Sequence, residues 1–487
     1  MVSTNAGQQK RTGRQLDLFG STPGRQEAAA AGDGIAGRAD EARQAFTAAT
    51  QGRALATDLM ERVAQVGNLH RAMKAVCRNK GAGGVDGMTV GDLPDWFSAN
   101  WKALAESLLS GDYRPAPVMG TQIPKPGGGV RQLGIPTVVD RLVQQAILQV
   151  LDPLIDPTFS ESSFGFRPGR SAHQALLQAS QYVREEKRRI VVDLDLEKFF
   201  DRVNHDILMA RLARRIGDKR LLKTIRRFLE TGMMQNGVCV RRDKGTPQGG
   251  PLSPLLANVL LDDLDKELER RGHRFCRYAD DCNIYVRTKA AGQRVLDSVT
   301  RFLEGKLKLR VNREKSAVDY IGKRKFLGYR LLGGGRLTVA PQSWKRAKDR
   351  IRAITRRNRG VSAARVISEL NSFTTGWVTY FRHAECKSRL RDMDEWVRHK
   401  LRCYRLKQLK RRGTIIDYLV ARGVTKDNAV PTASSGKGWW RLAKTPAVHT
   451  AMSNPRLTKA GLRSLTDRYL MLRGNETAGC DIARPVV

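Results

Sequence analysis

The sequence predicts an α+β protein that ends in a helical, strongly basic region, and three observations carry that prediction. Helix-like and strand-like patterns alternate from about residue 55 to 330. Within them, the β-branched run Ile190–Leu196 and the apolar runs flanking Ala279-Asp280-Asp281 read as buried strands, the second pair as a hairpin. From residue 343 to 412 the period becomes helical, with 21 Lys+Arg against 6 Asp+Glu.

Taken in order, residues 1–50 are rich in Gly, Ala, Gln and Arg and poor in branched apolar residues, which predicts a disordered basic tail. Residues 51–335 are the mixed region. Asp140 to Ile155 is apolar enough for a buried helix. A strand over Ile190–Leu196 is followed by a helix from near Asp201. Ser253-Pro254 predicts a helix start, with Ser253 as cap, and Gly272 its end. Residues 336–412 form a helical unit. There Ala363, Val366, Ile367, Leu370, Phe373, Trp377, Tyr380 and Phe381 recur at i, i+3, i+4, i+7 spacing, giving one apolar face. Residues 413–487 are a small basic unit with 11 Lys+Arg against 5 Asp+Glu. Its Trp439-Trp440 pair suits either base stacking or core burial. No repeat of 20 to 50 residues is present, which excludes solenoids.

The chain has 487 residues, enough for about three domains, and 41% of them are hydrophobic. Its 87 Lys+Arg and 48 Asp+Glu leave a net charge of +39, with a pI near 10.6. That much like charge repels itself unless a polyanion neutralises it, and nucleic acid leads over an anionic membrane surface. The longest apolar stretches fall well short of the ~20 residues of a membrane-spanning helix. Seven cysteines include no Cys-x-x-Cys pair, which argues against a zinc ribbon and against a disulfide framework, and for free thiols in a reducing compartment. No apolar secretory segment follows Met1. A cytoplasmic protein is expected, nucleoid-associated if its source is bacterial.

Carboxylates carry the chemistry. Asp195 ends one strand, and Asp280 and Asp281 sit in the hairpin turn 85 residues later. Neighbouring carboxylates repel, so they need compensation. Two Mg²⁺ ions about 4 Å apart supply it in phosphoryl transfer onto a 3′-hydroxyl, and oxygen ligands suit Mg²⁺. A plain polar hairpin tip explains Tyr278 to Asp281 equally well when they are taken alone. Lys125 and Arg131 flank a Gly-rich turn that can bring two cations onto a triphosphate or can simply be a solvated hairpin. One of Phe199 and Phe200 belongs to the core.

Read together, the motifs resemble the reverse transcriptases encoded by group II introns. Val192 to Asp201 resembles the first aspartate motif of that family and Tyr278 to Asp281 the second. Gly245 to Asn258 resembles the motif that contacts template–primer and nucleotide, while Ile123 to Pro136 and Phe164 to Ser171 resemble the fingers motifs. Five motifs in the family's order span roughly residues 60 to 330. The segment Gly376-Trp377-Val378-Thr379-Tyr380-Phe381 lies in a region similar to the thumb, or maturase domain, and residues 413–487 lie where the family has a DNA-binding region.

The resemblance implies a right-hand polymerase: fingers and palm around an antiparallel sheet, then a helical thumb. It assigns catalysis to Asp195, Asp280 and Asp281. It places two Mg²⁺ ions on them and on the backbone carbonyl of Leu196. It gives dNTP binding to Lys125, Arg131, Phe200 and Gln248, with Phe200 as the ring that excludes a ribose 2′-hydroxyl by clash. Primer and template contacts fall to Arg167, Gly249, Tyr278 and Trp377. Asp193, which shares a strand face with Asp195, becomes a supporting group.

The implied partners are an RNA template, group II intron RNA, a DNA primer or target and dNTPs, with no membrane. The implied function is RNA-directed DNA synthesis with assistance to intron splicing and mobility. Two alternatives stay open: a splicing-only RNA-binding maturase, and a domesticated enzyme of defence or DNA repair. Phe200 argues against an RNA-directed RNA polymerase. Relatives with a His-Asn-His nuclease carry paired cysteines toward the C-terminus. Here only His449 and Cys480 lie beyond residue 412, so the form lacking that nuclease is expected.

Overall fold

In the computed structural model, residues 57–124, 130–235, 238–240, 243–247 and 249–480 are described. The expected basic tail, the turn that contains Lys125, and Gln248 lie outside them. The strands are β1 (Val118–Pro124), β2 (Val130–Ile135), β3 (Ile190–Leu194), β4 (Met233–Gln235), β5 (Val238–Val240), β6 (Arg274–Tyr278), β7 (Asp281–Val286), β8 (Ala317–Tyr320), β9 (Tyr329–Leu331) and β10 (Leu337–Val339). They form a sheet β2-β1-β4-β5, a sheet β6-β7-β3-β8 and the pair β10-β9. Every pairing in the second sheet is antiparallel, as expected of a palm.

Helices α1 (Leu59–Ala64), α2 (Val66–Asn79) and α3 (Leu93–Leu109) precede β1. The apolar stretch expected to be helical is α4 (Val138–Ile155), which begins two residues earlier than Asp140 because Thr137 caps it by accepting from the Asp140 amide. A reciprocal cap between Ser171 and Gln174 starts α5 (Ala172–Arg184). The helix expected from Asp201 is instead one turn, Phe199–Arg202, then α6 (His205–Ala213), capped by Asn204. Helix α7 is Lys219–Glu230.

Helix α8 (Ser253–Arg270) holds a correction. Ser253 is its first helical residue rather than its cap. The Ser253 hydroxyl donates to the Pro247 carbonyl and accepts from the Thr246 hydroxyl, so it ties down the preceding loop. Helix α9 (Lys289–Phe302) completes the mixed region.

The unit expected to be helical from residue 336 opens instead on strand β10, paired with β9, and then forms helices α10 (Pro341–Ile354), α11 (Ala363–Tyr380) and α12 (Lys387–Leu409). Of the expected apolar face of α11, Val366, Ile367, Leu370 and Phe381 are buried and Ala363, Phe373, Trp377 and Tyr380 half-buried, and the structure adds Val378, buried outside that set. Beyond it come α13 (Arg412–Val420), α14 (Lys426–Ser434), short turns, and α15 (Leu465–Cys480). Trp439 packs into this last unit, whereas Trp440 is 43% exposed beside Lys400. Among the described residues no helix is long and apolar enough to cross a membrane.

The palm sheet separates two cores, and strand alternation sorts its residues between them. Val192 and Leu194 of β3, with Cys282, Ile284 and Val286 of β7, belong to the core shared with α4, α8 and the helix Lys289–Phe302. Val191 and Tyr285 face α5 and the basic helices. Along this second face the register pairs Val191 with Tyr285 and then Asp193 with Asn283. The surface therefore changes from apolar to acidic toward the end that carries the candidate site.

Candidate active site

The strand register assembles the carboxylates. Leu194 pairs with Cys282, so one step further along two antiparallel strands sets Asp195 beside Asp281. Tyr278 pairs with Asp281 across β6 and β7, leaving Ala279 and Asp280 as a two-residue turn. The sequence had placed Asp281 in the turn; the structure makes it the first residue of β7. Ala279 has φ +58°, as the first central residue of such a tight hairpin requires. Glycine would take that conformation freely, whereas alanine keeps it only where its surroundings hold it.

The main chain of Asp195 is fixed by a distant segment. Its amide donates to Ser316 Oγ at 3.0 Å, and its carbonyl accepts from the Asn312 amide at 2.9 Å. The next residue, Leu196, bridges Val311, so the carbonyl expected to ligate a metal belongs to a fixed strand end.

The electrostatics are those of crowded anions. Asp281 is exposed to solvent on one side, yet protein atoms crowd the rest of its carboxyl. That desolvation, with Asp280, Asp193 and Asp195 close by, pushes its pKa up to about 7. Desolvation also raises Asp193, against the pull of Arg324. Arg324 donates to Asp193 Oδ2 through Nε at 2.9 Å and Nη2 at 2.6 Å. Lys315 Nζ stands 3.9 Å from Asp195 Oδ1, and Lys325 opposes the raised pKa of Asp281.

This donor set fits Mg²⁺: the ligands are hard carboxylate oxygens, and their mutual repulsion is what a cation relieves. Among the described residues no three His, Cys, Asp or Glu side chains already converge on one point. Mg²⁺ is commonly held by one or two carboxylates plus waters and substrate phosphates, which suits such an open arrangement.

The other expected site residues divide. Phe199 is the core ring of its pair, 3% exposed, and Phe200 is half-buried beside it at 5.1 Å. Arg131 lies on β2 opposite Ile123. Gly249 is exposed, and a side chain there would meet the Gly134 carbonyl, so its loop abuts the same hairpin. Tyr278 is half-buried against the second core.

One expected template contact, Arg167, is instead structural, and Trp377 is half-buried. Arg167 is 8% exposed. Its five N–H donors go to Asp156 Oδ1, Oδ2 and O, and to the Ser160 and Ser163 carbonyls. No donor remains for a phosphate. Trp377 packs between Trp344 and Phe381 at 4.9 and 4.6 Å.

Sequence reasoning missed Asn312, Lys315, Ser316, Arg324 and Lys325, which reach the site only because β8 pairs with β3. It also missed Arg277, directly before the Tyr278 motif. The available signal was an arginine directly after the apolar pair Phe275-Cys276 and before Tyr278 in a strand expected to be buried.

A family model described as reverse transcriptase (RNA-dependent DNA polymerase) matches residues 123–331, and one described as group II intron, maturase-specific domain, matches residues 344–418. Protein YkfC of Escherichia coli (strain K12) is 32% identical over 314 residues, 56% of this chain and 82% of YkfC. The group II intron-encoded protein LtrA of Lactococcus lactis subsp. cremoris is 30% identical over 307 residues. That match covers 49% of this chain and 51% of LtrA, so the chain spans about half of LtrA's length. Among solved structures, a chain of a partial Cas6-RT-Cas1–Cas2 complex is 26% identical, covering 51% of this chain and 43% of that one, with a TM-score of 0.34.

Proposed function

This chain belongs to the group II intron reverse transcriptase and maturase family, and from that premise we propose that it is a working RNA-directed DNA polymerase that also binds its intron RNA. The observation that carries the reading is the register that sets Asp195 beside Asp281, with Asp280 in the adjoining turn. Three intact carboxylates in one acidic cleft are what a splicing-only RNA-binding protein has no need to keep.

In the reaction, a primer 3′-hydroxyl oxygen attacks the α-phosphorus of a dNTP in line. The new P–O bond forms as the bond to the pyrophosphate oxygen breaks, and the hydroxyl proton leaves to solvent. Asp195, Asp280, Asp281 and the Leu196 carbonyl would hold two Mg²⁺ ions, which would lower the pKa of the hydroxyl and neutralise the pyrophosphate.

The rest of the chemistry is positioning. Arg131 and Lys125 are suited to grip the triphosphate, and Gln248 and Gly249 to meet the nascent pair. Phe200 is suited to close the space a 2′-hydroxyl needs. Exposed Lys345, Arg346, Lys348, Arg350, Arg356 and Arg357 on and just after α10 offer a cationic track for RNA phosphates, where contacts position rather than specify. With the Arg167 donors all spent inside the protein, phosphate contacts to the template fall to such exposed cations.

Primer extension on a defined RNA template with dNTPs and Mg²⁺ tests the proposal, comparing the parent with Asp280→Asn. The parent is expected to extend, and the variant to lose about 10³-fold or more, about 4 kcal/mol of transition-state stabilisation. A folded, RNA-binding parent that extends nothing would establish the splicing-only reading instead.

A further inference from the structure

Arg277 on β6 points away from the acidic cleft, into the core behind it, and is 0% exposed. All five of its N–H donors are engaged. Nε and Nη2 reach the two carboxylate oxygens of Asp265 on α8 at 2.7 and 2.5 Å. Nη2 also donates to Ser163 Oγ at 2.7 Å, and Nη1 to Asn258 Oδ1 at 2.9 Å. The remaining Nη1 donor goes, at 2.9 Å, to the carbonyl of Ala279, the turn residue that precedes Asp280.

A second contact closes on the same turn. The main chain of residues 162–164 runs along β6, with Phe164 N donating to Arg277 O and Arg277 N to Ser162 O. Gly165 then meets the turn itself: a Cβ on it would lie 2.2 Å from Ala279 N and 2.8 Å from Tyr278 C. Asn258 links the two contacts, since its amide donates to Gly165 O at 2.9 Å while its oxygen accepts from Arg277. The turn so held contains an alanine at φ +58°, a conformation that persists only when its surroundings impose it.

We infer that Arg277 is a positioning residue for the polymerase site: its guanidinium pins the Ala279 carbonyl, with Gly165 as the steric stop, and so fixes Asp280 and Asp281 relative to Asp195. A buried ion pair is not needed for stability as such, because well-packed apolar residues often serve a core equally well. What apolar residues cannot supply is the N–H aimed at Ala279. The effect on synthesis rests on the polymerase reading above; the effect on metal affinity of the free protein does not.

The test uses the full chain as parent, as the double variant Arg277→Met/Asp265→Leu, and as Gly165→Ala. Thermal unfolding, Mn²⁺ affinity of the free protein by electron paramagnetic resonance, kcat, KM for dNTP and primer–template affinity are measured on each. The double variant is expected to unfold near the parental temperature, yet to bind Mn²⁺ about tenfold or more weakly. Its kcat is expected to fall about 100-fold, the scale of a 1 Å misplacement, with primer–template affinity unchanged. Parental Mn²⁺ affinity and kcat in a stable double variant would reduce Arg277 to packing and overturn the inference.

If that variant does not fold, Gly165→Ala decides, because it keeps the Arg277, Asp265, Ser163 and Asn258 side chains and pushes on the turn that carries the Ala279 carbonyl. The same losses support the inference, and parental values overturn it. A parent that binds Mn²⁺ but synthesises no DNA sinks the polymerase reading alone, and the Mn²⁺ comparison still judges Arg277.

Discussion

Behind the hairpin that carries Asp280 and Asp281, Arg277 and Asp265 pair with neither side chain exposed; in front of it, Arg324 grips Asp193 with 29% and 22% of the two side chains exposed. The residue types are the same and the distances similar, at 2.5 and 2.6 Å. Burial makes them different devices. The rear pair has no water to replace a lost partner, so it is a permanent fixture of the hairpin. The front pair stands in a cleft where solvent screens it, and cations can exchange. A polymerase site needs both: carboxylates held rigidly, and a charge balance in front of them that incoming substrate can alter.

The stability of single variants gives the sharpest break of this comparison. Arg277→Ala strands a buried carboxylate and is expected to cost about 3–5 kcal/mol, whereas Arg324→Ala is expected to cost less than about 1 kcal/mol. Chemical denaturation of both measures the contrast, and equal losses would erase the distinction between the faces.

Sugar specificity comes next in size. Phe200→Ala is expected to raise ribonucleotide incorporation relative to deoxyribonucleotide by about tenfold or more. Competition assays read this ratio, and unchanged discrimination would remove Phe200 from the gate.

The smallest effect is a pH dependence confined to the front. Asp281 rises from an ordinary 3.8 to about 7, so the folded, metal-free protein holds that proton more tightly than the unfolded chain. The resulting stabilisation is complete below about pH 4 and is lost as pH rises through 7. Because Asp281 opens onto solvent, the difference should be about 1 kcal/mol after screening. Melting curves in chelator from pH 5 to 8 should fall more steeply for the parent than for Asp281→Asn. Parallel slopes would mean that the front carboxylates are not crowded.

The hairpin, the β3 strand and the apolar face of α11 were legible because each is a local pattern of period 2 or 3.6. Asp195, Asp280 and Asp281 were legible because charge between apolar strands stands out and because five motifs fell in a known order. Arg167 misled for the same reason. A motif names a residue type at a position but not where its side chain bonds, and its five donors are spent within residues 156–163. Ser253 likewise looked like a helix cap until its hydroxyl was found on Pro247.

By itself, then, the sequence determined the polyanion-binding charge, the order of elements and the identity of the carboxylates, since these depend on composition and short-range spacing. Only the tertiary structure decided that Asn312 and Ser316 would fix Asp195, that Arg324 would face Asp193, and that Arg277 would hold the turn from behind. Those contacts join segments up to 131 residues apart. Burial and strand pairing create them, and neither is written in any local stretch of chain.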